Sequence, residues 1–334
     1  MSESLLEIRR LTKYFPVNSG LLRRRTLGYV KAVDAVDFAI NPAETFGLVG
    51  ESGCGKTTVA NLILLLHLPT AGEILFRGQL LARFMRADLK AYRRAVQAVF
   101  QDPYGALNPR MRVGDIAAEP LLSQAYGRRE RQTRVQEALA AVGLPDDSAR
   151  KFPHEFSGGQ RQRIGIARAL TLEPALIVLD EPVSSLDVSI RSQILNLLKD
   201  IQRQMGISYL LISHDLASVE YMCHRIGIMY LGKLAEVGNA ADVCSRPLHP
   251  YTATLVAAAT PPGRTPPWPL PILGDVPSPL NAPGGCAFHP RCPYAMPVCR
   301  QTTPTLMEVE PHRQVACHLY PDAIHSIDKE RGEG

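Results

Sequence analysis

The residues with the clearest chemical potential form one glycine-rich segment that follows the apolar run 45–49. The segment consists of Gly50, Glu51, Ser52, Gly53, Cys54, Gly55, Lys56, Thr57 and Thr58. Its glycines allow the backbone to curl so that successive N–H groups face an anion, and a helix beginning near Gly55 would direct its positive end to the same place. The pattern G-x-x-x-x-G-K-T between a strand and a helix predicts a phosphate-binding loop rather than a chance glycine-rich turn.

Two side chains of this loop have the chemistry to hold a nucleotide and its metal. Lys56 can reach the β- and γ-phosphates, and Thr57 can offer a hydroxyl to Mg²⁺, a hard cation that prefers oxygen ligands. Kinases, GTPases, helicases and transport ATPases all use such a loop. The loop therefore predicts a bound nucleotide but no particular reaction.

Two later segments are typical of the partners of a phosphate-binding loop. The first consists of Ser157, Gly158, Gly159 and Gln160. It precedes the helical run 164–170, and a serine and glycines at a helix N-terminus offer N–H donors and a hydroxyl to an anion. The second is the apolar run 175–179, which predicts a buried parallel strand and ends in Asp180 and Glu181. An Asp in that place matches the magnesium-side partner of the loop.

The remaining pattern supplies the elements that must position these residues. Strands are predicted at 5–10, 32–40, 45–49, 72–78, 95–100, 175–180, 208–213 and 225–230. A loop is predicted at 17–28, where glycines and three arginines occur. From 101 to about 151 the pattern is helical and broken by Pro109, Pro120 and the stop at 143–145, and a further helix is predicted at 188–205.

Composition sets the broad class. The chain has 334 residues, 46% of them apolar and 21% charged, which is enough to bury a large core. No apolar run approaches the roughly 20 residues needed to cross a bilayer, and residues 1–4 lead into no signal-type core, so we expect a cytosolic protein. The formal charge of +5 is modest and the basic clusters are short, which favours solvated surfaces over a nucleic-acid partner.

The order of the polar segments resembles a known family. Along the chain come the loop 50–58, Gln101, the segment 157–160, Asp180–Glu181, Ser184–Asp187 and His214. This set resembles the ATP-binding cassette (ABC) ATPases. The resemblance implies an α/β fold, a P-loop NTPase with a RecA-like mixed sheet core. It also implies a nucleotide-binding domain at 1–255, with a helical subdomain at about 102–168.

The resemblance also implies a role for each of these residues. In such ATPases two cassettes meet head to tail, so Ser157, Gly159 and Gln160 would act on ATP held by the partner's loop, and Asp187 would work across the interface. Asp180 would hold Mg²⁺ and Glu181 would polarise the attacking water. His214 would contact the γ-phosphate, and Gln101 would approach the metal and the water.

Tyr14 gains a role from the same resemblance. A lone tyrosine near a strand end is more often simply packed. The family places an aromatic residue at this distance before the loop, where it stacks on adenine, and Tyr14 occupies that place.

A narrower resemblance concerns transport. Segments 101–110, 180–189 and 247–252 are similar to those of dipeptide and oligopeptide importers, and are closer to the dipeptide "F"-type cassette. This implies a second, homologous ATPase subunit, two transmembrane permease subunits, an extracytoplasmic solute-binding protein and a peripheral place on the cytoplasmic face of the membrane. Nickel and glutathione importers share these features, and a non-transport ABC ATPase is a further alternative.

The C-terminal segment 256–334 is predicted to be a small extension. Nine prolines between 261 and 283 predict an extended connector. Four of the seven cysteines follow it, at Cys286, Cys292, Cys299 and Cys317. Their spacing fits neither zinc-finger nor bacterial ferredoxin rules. Members of the peptide-importer branch carry a comparable quartet that binds an iron–sulfur cluster, so the resemblance implies [4Fe–4S], with zinc or four unrelated thiols as alternatives.

Overall fold

The computed structural model describes residues 4–19, 25–100, 105–259, 274, 277–278, 280 and 282–320. These residues form two compact units. Unit 1 comprises 40–45 and the described part of 83–212, and unit 2 comprises the described parts of 4–39, 46–82 and 213–320. Within the described ranges no helix has both the length and the apolar character needed to cross a membrane.

The regular elements are numbered in chain order. The strands are β1 (Leu6–Ser19), β2 (Arg25–Ile40), β3 (Thr45–Val49), β4 (Ala71–Phe76), β5 (Gln79–Leu80), β6 (Val96–Val99), β7 (Leu176–Asp180), β8 (Ser208–Ser213), β9 (Arg225–Tyr230), β10 (Lys233–Asn239), β11 (Met307–Glu310) and β12 (Arg313–Val315). The helices are α1 (Lys56–Ile63), α2 (Arg86–Ala95), α3 (Val113–Leu122), α4 (Arg128–Ala141), α5 (Gly158–Leu170), α6 (Val188–Met205), α7 (Leu216–Met222), α8 (Ala240–Ser245), α9 (Pro250–Ala259) and α10 (Pro297–Gln301).

Unit 1 combines parallel strands with the helical insert. Strands β8, β7 and β6 pair in that order, all parallel. The first four residues of β7 are buried and its last, Asp180, is half-buried, as expected for a central strand that carries a polar group at its carboxyl end. Helix α6 buries Ile194, Leu195 and Leu198 on one face, which is the apolar spacing of an amphipathic helix.

Unit 2 contains two sheets. In one, β2, β1, β4 and β5 lie side by side, with β1 antiparallel to β4. In the other, β3 pairs in parallel with β9, β9 pairs with β10 as an antiparallel hairpin, and the C-terminal hairpin β11–β12 joins β10 through β12. The cysteine-bearing C-terminal region therefore shares a sheet with the strand that leads into the loop 50–58.

Most predicted elements are confirmed, with two corrections. The strands at 45–49, 208–213 and 225–230 and the helix at 188–205 coincide with β3, β8, β9 and α6. The predicted loop at 17–28 is too long, because β1 continues to Ser19 and β2 begins at Arg25. The two strands are neighbours in one sheet, and β2 lies at its edge, where charged residues are common.

The second correction concerns Pro120. It was predicted to break the helical pattern, yet it lies inside α3, which ends two residues later at Leu122. Burial of Ile116 and Leu121 on the packed face stabilises the helix and outweighs the missing N–H of the proline. The predicted domain division at residue 255 stays a prediction.

Candidate active site

The loop 50–58 has the predicted setting between β3 and α1. Gly55 has φ 115, and a Cβ atom there would overlap the carbonyl oxygen of Ala32, so the position requires glycine. Lys56 begins α1 and is buried, and its Nζ donates to the carbonyl oxygens of Gly50 at 2.7 Å and Glu51 at 2.9 Å. The lysine is thus held against the backbone of its own loop.

The other loop residues divide by exposure. Ser52, Gly53 and Thr57 are exposed, whereas Thr58 is half-buried. Cys54 is buried, its Sγ lies 3.7 Å from the Lys56 ammonium, and burial raises the pKa of its thiol. Cys54 thus packs as a small buried residue.

Glu51 makes contacts that sequence reasoning did not predict. Its carboxylate forms a bidentate ion pair with Arg291, at 2.9 and 3.0 Å. Its backbone N–H donates to the hydroxyl of Tyr251 at 2.9 Å. Tyr251 lies in the segment 247–252 that resembles peptide importers, so a sequence signal existed for it. Arg291 carries no such signal.

Tyr14 lies on β1 and is fixed through its hydroxyl. The hydroxyl donates to Asp34 at 2.7 Å, and the Lys31 ammonium lies 5.6 Å from the ring centroid. Burial and the hydrogen bond to Asp34 raise the pKa of Tyr14 to about 12. Partial burial favours protonated Asp34, but the donors Tyr14 and Lys233 outweigh it, so the pKa of Asp34 is lowered.

The segment 157–160 forms the N-terminus of α5. Ser157 Oγ accepts the Gln160 N–H at 3.3 Å, and Gln160 Oε1 accepts the Ser157 N–H at 3.0 Å, so the two residues form a reciprocal capping box. Gly158 lies beside Leu186, and Gly159 is buried against Ile190. The structure therefore brings this helix start against the segment that opens α6.

The two predicted carboxylates lie at the carboxyl end of β7, where Asp180 ends the strand and Glu181 follows it. Asp180 and Glu181 are both half-buried. Glu181 has φ 49, a left-handed conformation that costs a non-glycine residue roughly 1–2 kcal/mol. Its N–H donates to the Ile212 carbonyl at 2.9 Å and its carbonyl accepts the Ser184 hydroxyl at 3.1 Å, so hydrogen bonds hold the strained turn.

The remaining predicted site residues are Asp187, His214 and Gln101. Asp187 is exposed at the start of α6, where its carbonyl accepts the Arg191 N–H at 2.8 Å. His214 is exposed between β8 and Asp215, the residue whose side chain caps α7. Gln101 lies outside the described residues. Of the predicted site, Tyr14, the loop 50–58 and His214 belong to unit 2, and the other described residues belong to unit 1.

The expected iron–sulfur cluster is not supported. The described residues include all four cysteines, yet they contain no group of three or more His, Cys, Asp or Glu side chains arranged to hold a metal ion. Burial raises the pKa of the thiols of Cys286, Cys292 and Cys317, the last to about 12. A backbone hydrogen bond brings two of the four together, since the Cys286 N–H donates to the Cys299 carbonyl at 2.8 Å.

Comparison with known proteins gives the family. Residues 33–184 match the ABC transporter family, and residues 235–299 match the C-terminal region of oligopeptide/dipeptide transporters. An oligopeptide transport ATP-binding protein, AppF of Bacillus subtilis (strain 168), is 48% identical, over 95% of this chain and 98% of that protein. The chain belongs to the ABC transporter ATP-binding family. A further relative of this ABC ATPase, the probable peptide transporter subunit y4tS of Sinorhizobium fredii, is 47% identical, over 96% of this chain and 91% of that protein.

Solved cassettes share the fold of this ABC ATPase. The dimeric cassette MJ0796 in a post-hydrolysis state with ADP and Pi is 27% identical with a TM-score of 0.61, covering 70% of this chain and 98% of that one. The cbiO1 subunit of Clostridium perfringens is 26% identical with a TM-score of 0.63, covering 73% and 92%. The P-loop fold and the ATPase activity predicted from the sequence are therefore confirmed. The Thr57 hydroxyl and the Asp180 carboxylate are oxygen donors, which fits the Mg²⁺ that ABC ATPases use.

Proposed function

We propose that this ABC ATPase energises the import of short peptides through separate permease subunits. The observation that carries the proposal is the match of residues 235–299 to the oligopeptide/dipeptide transporter C-terminal region, outside the part shared with other ABC proteins. Relatives 47–48% identical over nearly the whole chain carry peptide-transport names. The solute is therefore a dipeptide or a longer peptide.

The proposed assembly contains four further chains. A second, homologous but non-identical cassette would pair with this one, and two permease subunits would form the channel on whose cytoplasmic face the cassettes lie. An extracytoplasmic solute-binding protein would deliver the peptide. The dimeric state of the related cassette MJ0796 supports the pairing.

The proposed chemistry is phosphoryl transfer to water. Loop 50–58 and Lys56 would hold the phosphates, and Tyr14 would stack on adenine. Thr57, Asp180 and Gln101 would hold Mg²⁺, which neutralises charge on the β- and γ-phosphates. Glu181 would orient the attacking water, and His214 would contact the γ-phosphate.

The remaining groups would act on ATP held by the partner cassette. Ser157, Gly158, Gly159 and Gln160 would present hydroxyl and N–H donors to the γ-phosphate, and Asp187 would lie across the interface. Donors aimed at developing charge are typically worth about 10² to 10³ in rate each. A lone chain should therefore turn over slowly, and the paired assembly should turn over fast.

A transport assay separates the proposed solute from the alternatives. The complex is purified with its own permeases, placed in liposomes with ATP inside, and offered a labelled dipeptide, a labelled pentapeptide, glutathione or Ni²⁺ in the presence of its solute-binding protein. We expect ATP-dependent uptake of peptide and none of Ni²⁺ or glutathione. Uptake of Ni²⁺ or glutathione alone would reassign the solute, and ATP hydrolysis that no solute stimulates would favour a non-transport role.

A further inference from the structure

Arg291 joins the C-terminal region to the phosphate-binding loop. It ends the short 3-10 helix His289–Arg291, and its side chain is only 5% exposed. Both terminal nitrogens of its guanidinium donate to the carboxylate of Glu51, at 2.9 and 3.0 Å. A bidentate arginine–carboxylate pair with a buried guanidinium fixes orientation as well as distance. The pair spans 240 positions of the sequence.

Tyr251 holds the same loop residue through its backbone. Its hydroxyl accepts the Glu51 N–H at 2.9 Å, and its ring is 1% exposed. The start of α9 is itself fixed, because Tyr251 N–H donates to His249 Nδ1 at 2.9 Å and His249 N–H donates to Glu236 at 2.8 Å. The segment 247–252 therefore helps to hold the phosphate-binding loop, through the hydrogen bond from Glu51 to Tyr251.

Aromatic packing keeps the guanidinium in place. The rings of Tyr230, Tyr251 and Phe288 lie with centroids 4.6 to 5.4 Å apart. Arg291 lies over Tyr230 and Phe288, 5.9 and 5.8 Å from their centroids, and its Nη1 is 3.5 Å from the Tyr230 hydroxyl. Such a stacked, paired arginine has little freedom to move.

Glu51 also contacts Lys56, the lysine of the loop. The carbonyl oxygen of Glu51 accepts from Lys56 Nζ at 2.9 Å, while its N–H and carboxylate are held by Tyr251 and Arg291. All three polar parts of Glu51 are therefore occupied. A shift of Arg291 would move the peptide groups that face the phosphates.

We propose that Arg291 and Tyr251 are positioning residues for the nucleotide: they clamp Glu51 so that loop 50–58 keeps its phosphate-receiving shape, which makes the C-terminal region a working part of the ATP site. The inference rests on the proposed role of loop 50–58 in holding the phosphates. It adds two residues that act on the loop through their contacts with Glu51.

The test measures nucleotide affinity in the full-length chain. The dissociation constant for MgADP is measured by calorimetry for Arg291→Gln, Glu51→Gln and the double variant. Coupling of neighbouring residues typically amounts to a factor of a few to about a hundred, and we expect each single change to weaken binding about tenfold. The double variant should bind about as weakly as either single one, since both remove the same clamp. Effects that multiply, or an unchanged constant, would overturn the proposal.

Two variants away from the loop provide controls. Arg246 pairs with Glu310 in a bidentate manner at 2.7 Å and is 63% exposed, so Arg246→Gln should change neither affinity nor stability. Tyr209 is fully buried in unit 1 and its hydroxyl donates to the Leu198 carbonyl at 3.0 Å, so Tyr209→Phe should lower the unfolding temperature and leave the MgADP affinity unchanged. If Arg291→Gln behaves like Tyr209→Phe, the pair is merely structural and the proposal fails.

Kinetics in the assembled transporter and one loop variant complete the design. Arg291→Gln should raise the KM for ATP more than it lowers kcat, and Arg291→Lys, which keeps the charge without the fork, should recover part of the affinity. Lys56→Ala identifies the source of a negative result. If Lys56→Ala binds MgADP as the unaltered chain does, the loop assignment fails. If Lys56→Ala abolishes MgADP binding while Arg291→Gln leaves the affinity unchanged, the loop assignment stands and only the proposed positioning role of Arg291 fails.

Discussion

Gly159 in α5 lies directly against Ile190 in α6, so that a Cβ atom on the glycine would come within 2.5 Å of the Ile190 Cγ2. The isoleucine is β-branched and helical, and therefore has little rotamer freedom to move aside. This contact sets how closely the start of α5 approaches α6.

Gly159→Ala should therefore destabilise the protein. Overpacking of this kind costs about 1–3 kcal/mol, only partly offset by the 0.5–1 kcal/mol that alanine gains over glycine in a helix. Gly165→Ala in the same helix is the control, because a Cβ there meets nothing within 4 Å, and it should raise stability. Urea unfolding measures both, and equal shifts would contradict the contact.

Ser157→Ala separates the helix cap from the proposed action in trans. Loss of the cap should lower the free energy of unfolding by about 1 kcal/mol. If the hydroxyl also serves the partner's ATP, turnover by the assembled transporter should fall by about 10² or more. Asn239→Ala removes the side-chain cap of α8, so it should lower the free energy of unfolding without lowering turnover. Equal turnover in the two variants would show that the Ser157 hydroxyl does not act on the partner's ATP.

Glu181→Gln should slow turnover strongly and leave nucleotide binding intact. Glutamine keeps the shape of the side chain and the φ 49 backbone but lacks the carboxylate that would orient water, so the rate should fall by about 10² to 10⁴. The control is Glu173→Gln, since Glu173 is 58% exposed and its pair with Arg134 is a surface one. ATPase rate and MgATP affinity are measured in the complex, and unchanged hydrolysis would defeat the role assigned to Glu181.

His249 should make the stability of the protein depend on pH. Burial lowers the pKa of His249 to about 4, while its Nδ1 accepts the Tyr251 N–H and so requires the neutral ring. The unfolded chain takes up the proton near pH 6.5 and the folded chain only near 4. Stability is thus fully present above about pH 6.5 and falls by roughly 3 kcal/mol as the pH drops to about 4.

A substitution checks this assignment by chemical denaturation between pH 7.5 and 4.5. His249→Asn retains an acceptor for the Tyr251 N–H and removes the titrating ring, so its stability should change less over this range. The exposed His154, changed to Asn, should follow the unaltered chain. A His249→Asn protein with an undiminished pH dependence would show that another group is responsible.

The local chemistry of the site was predictable because it depends on residues close together in the sequence. The loop 50–58, the strand ending in Asp180 and the helix start at Ser157 each follow from spacing over about ten positions, and the structure gives each its expected element. The iron–sulfur cluster implied for the four cysteines had a different basis, because it rested on the family resemblance and not on their spacing. It is not supported, since the described residues form no metal-binding group.

The sequence by itself determined the elements, the phosphate-binding loop and the family resemblance, since periodicity, capping and glycine placement act locally. Only the tertiary structure decided what holds the loop. Glu51 and Arg291 are 240 positions apart, and their pairing depends on strand β12 joining β10 and on aromatic rings gathered from β9, α9 and the C-terminal region. No local pattern records such a contact, because burial, and not spacing, selects the partner of a charged side chain.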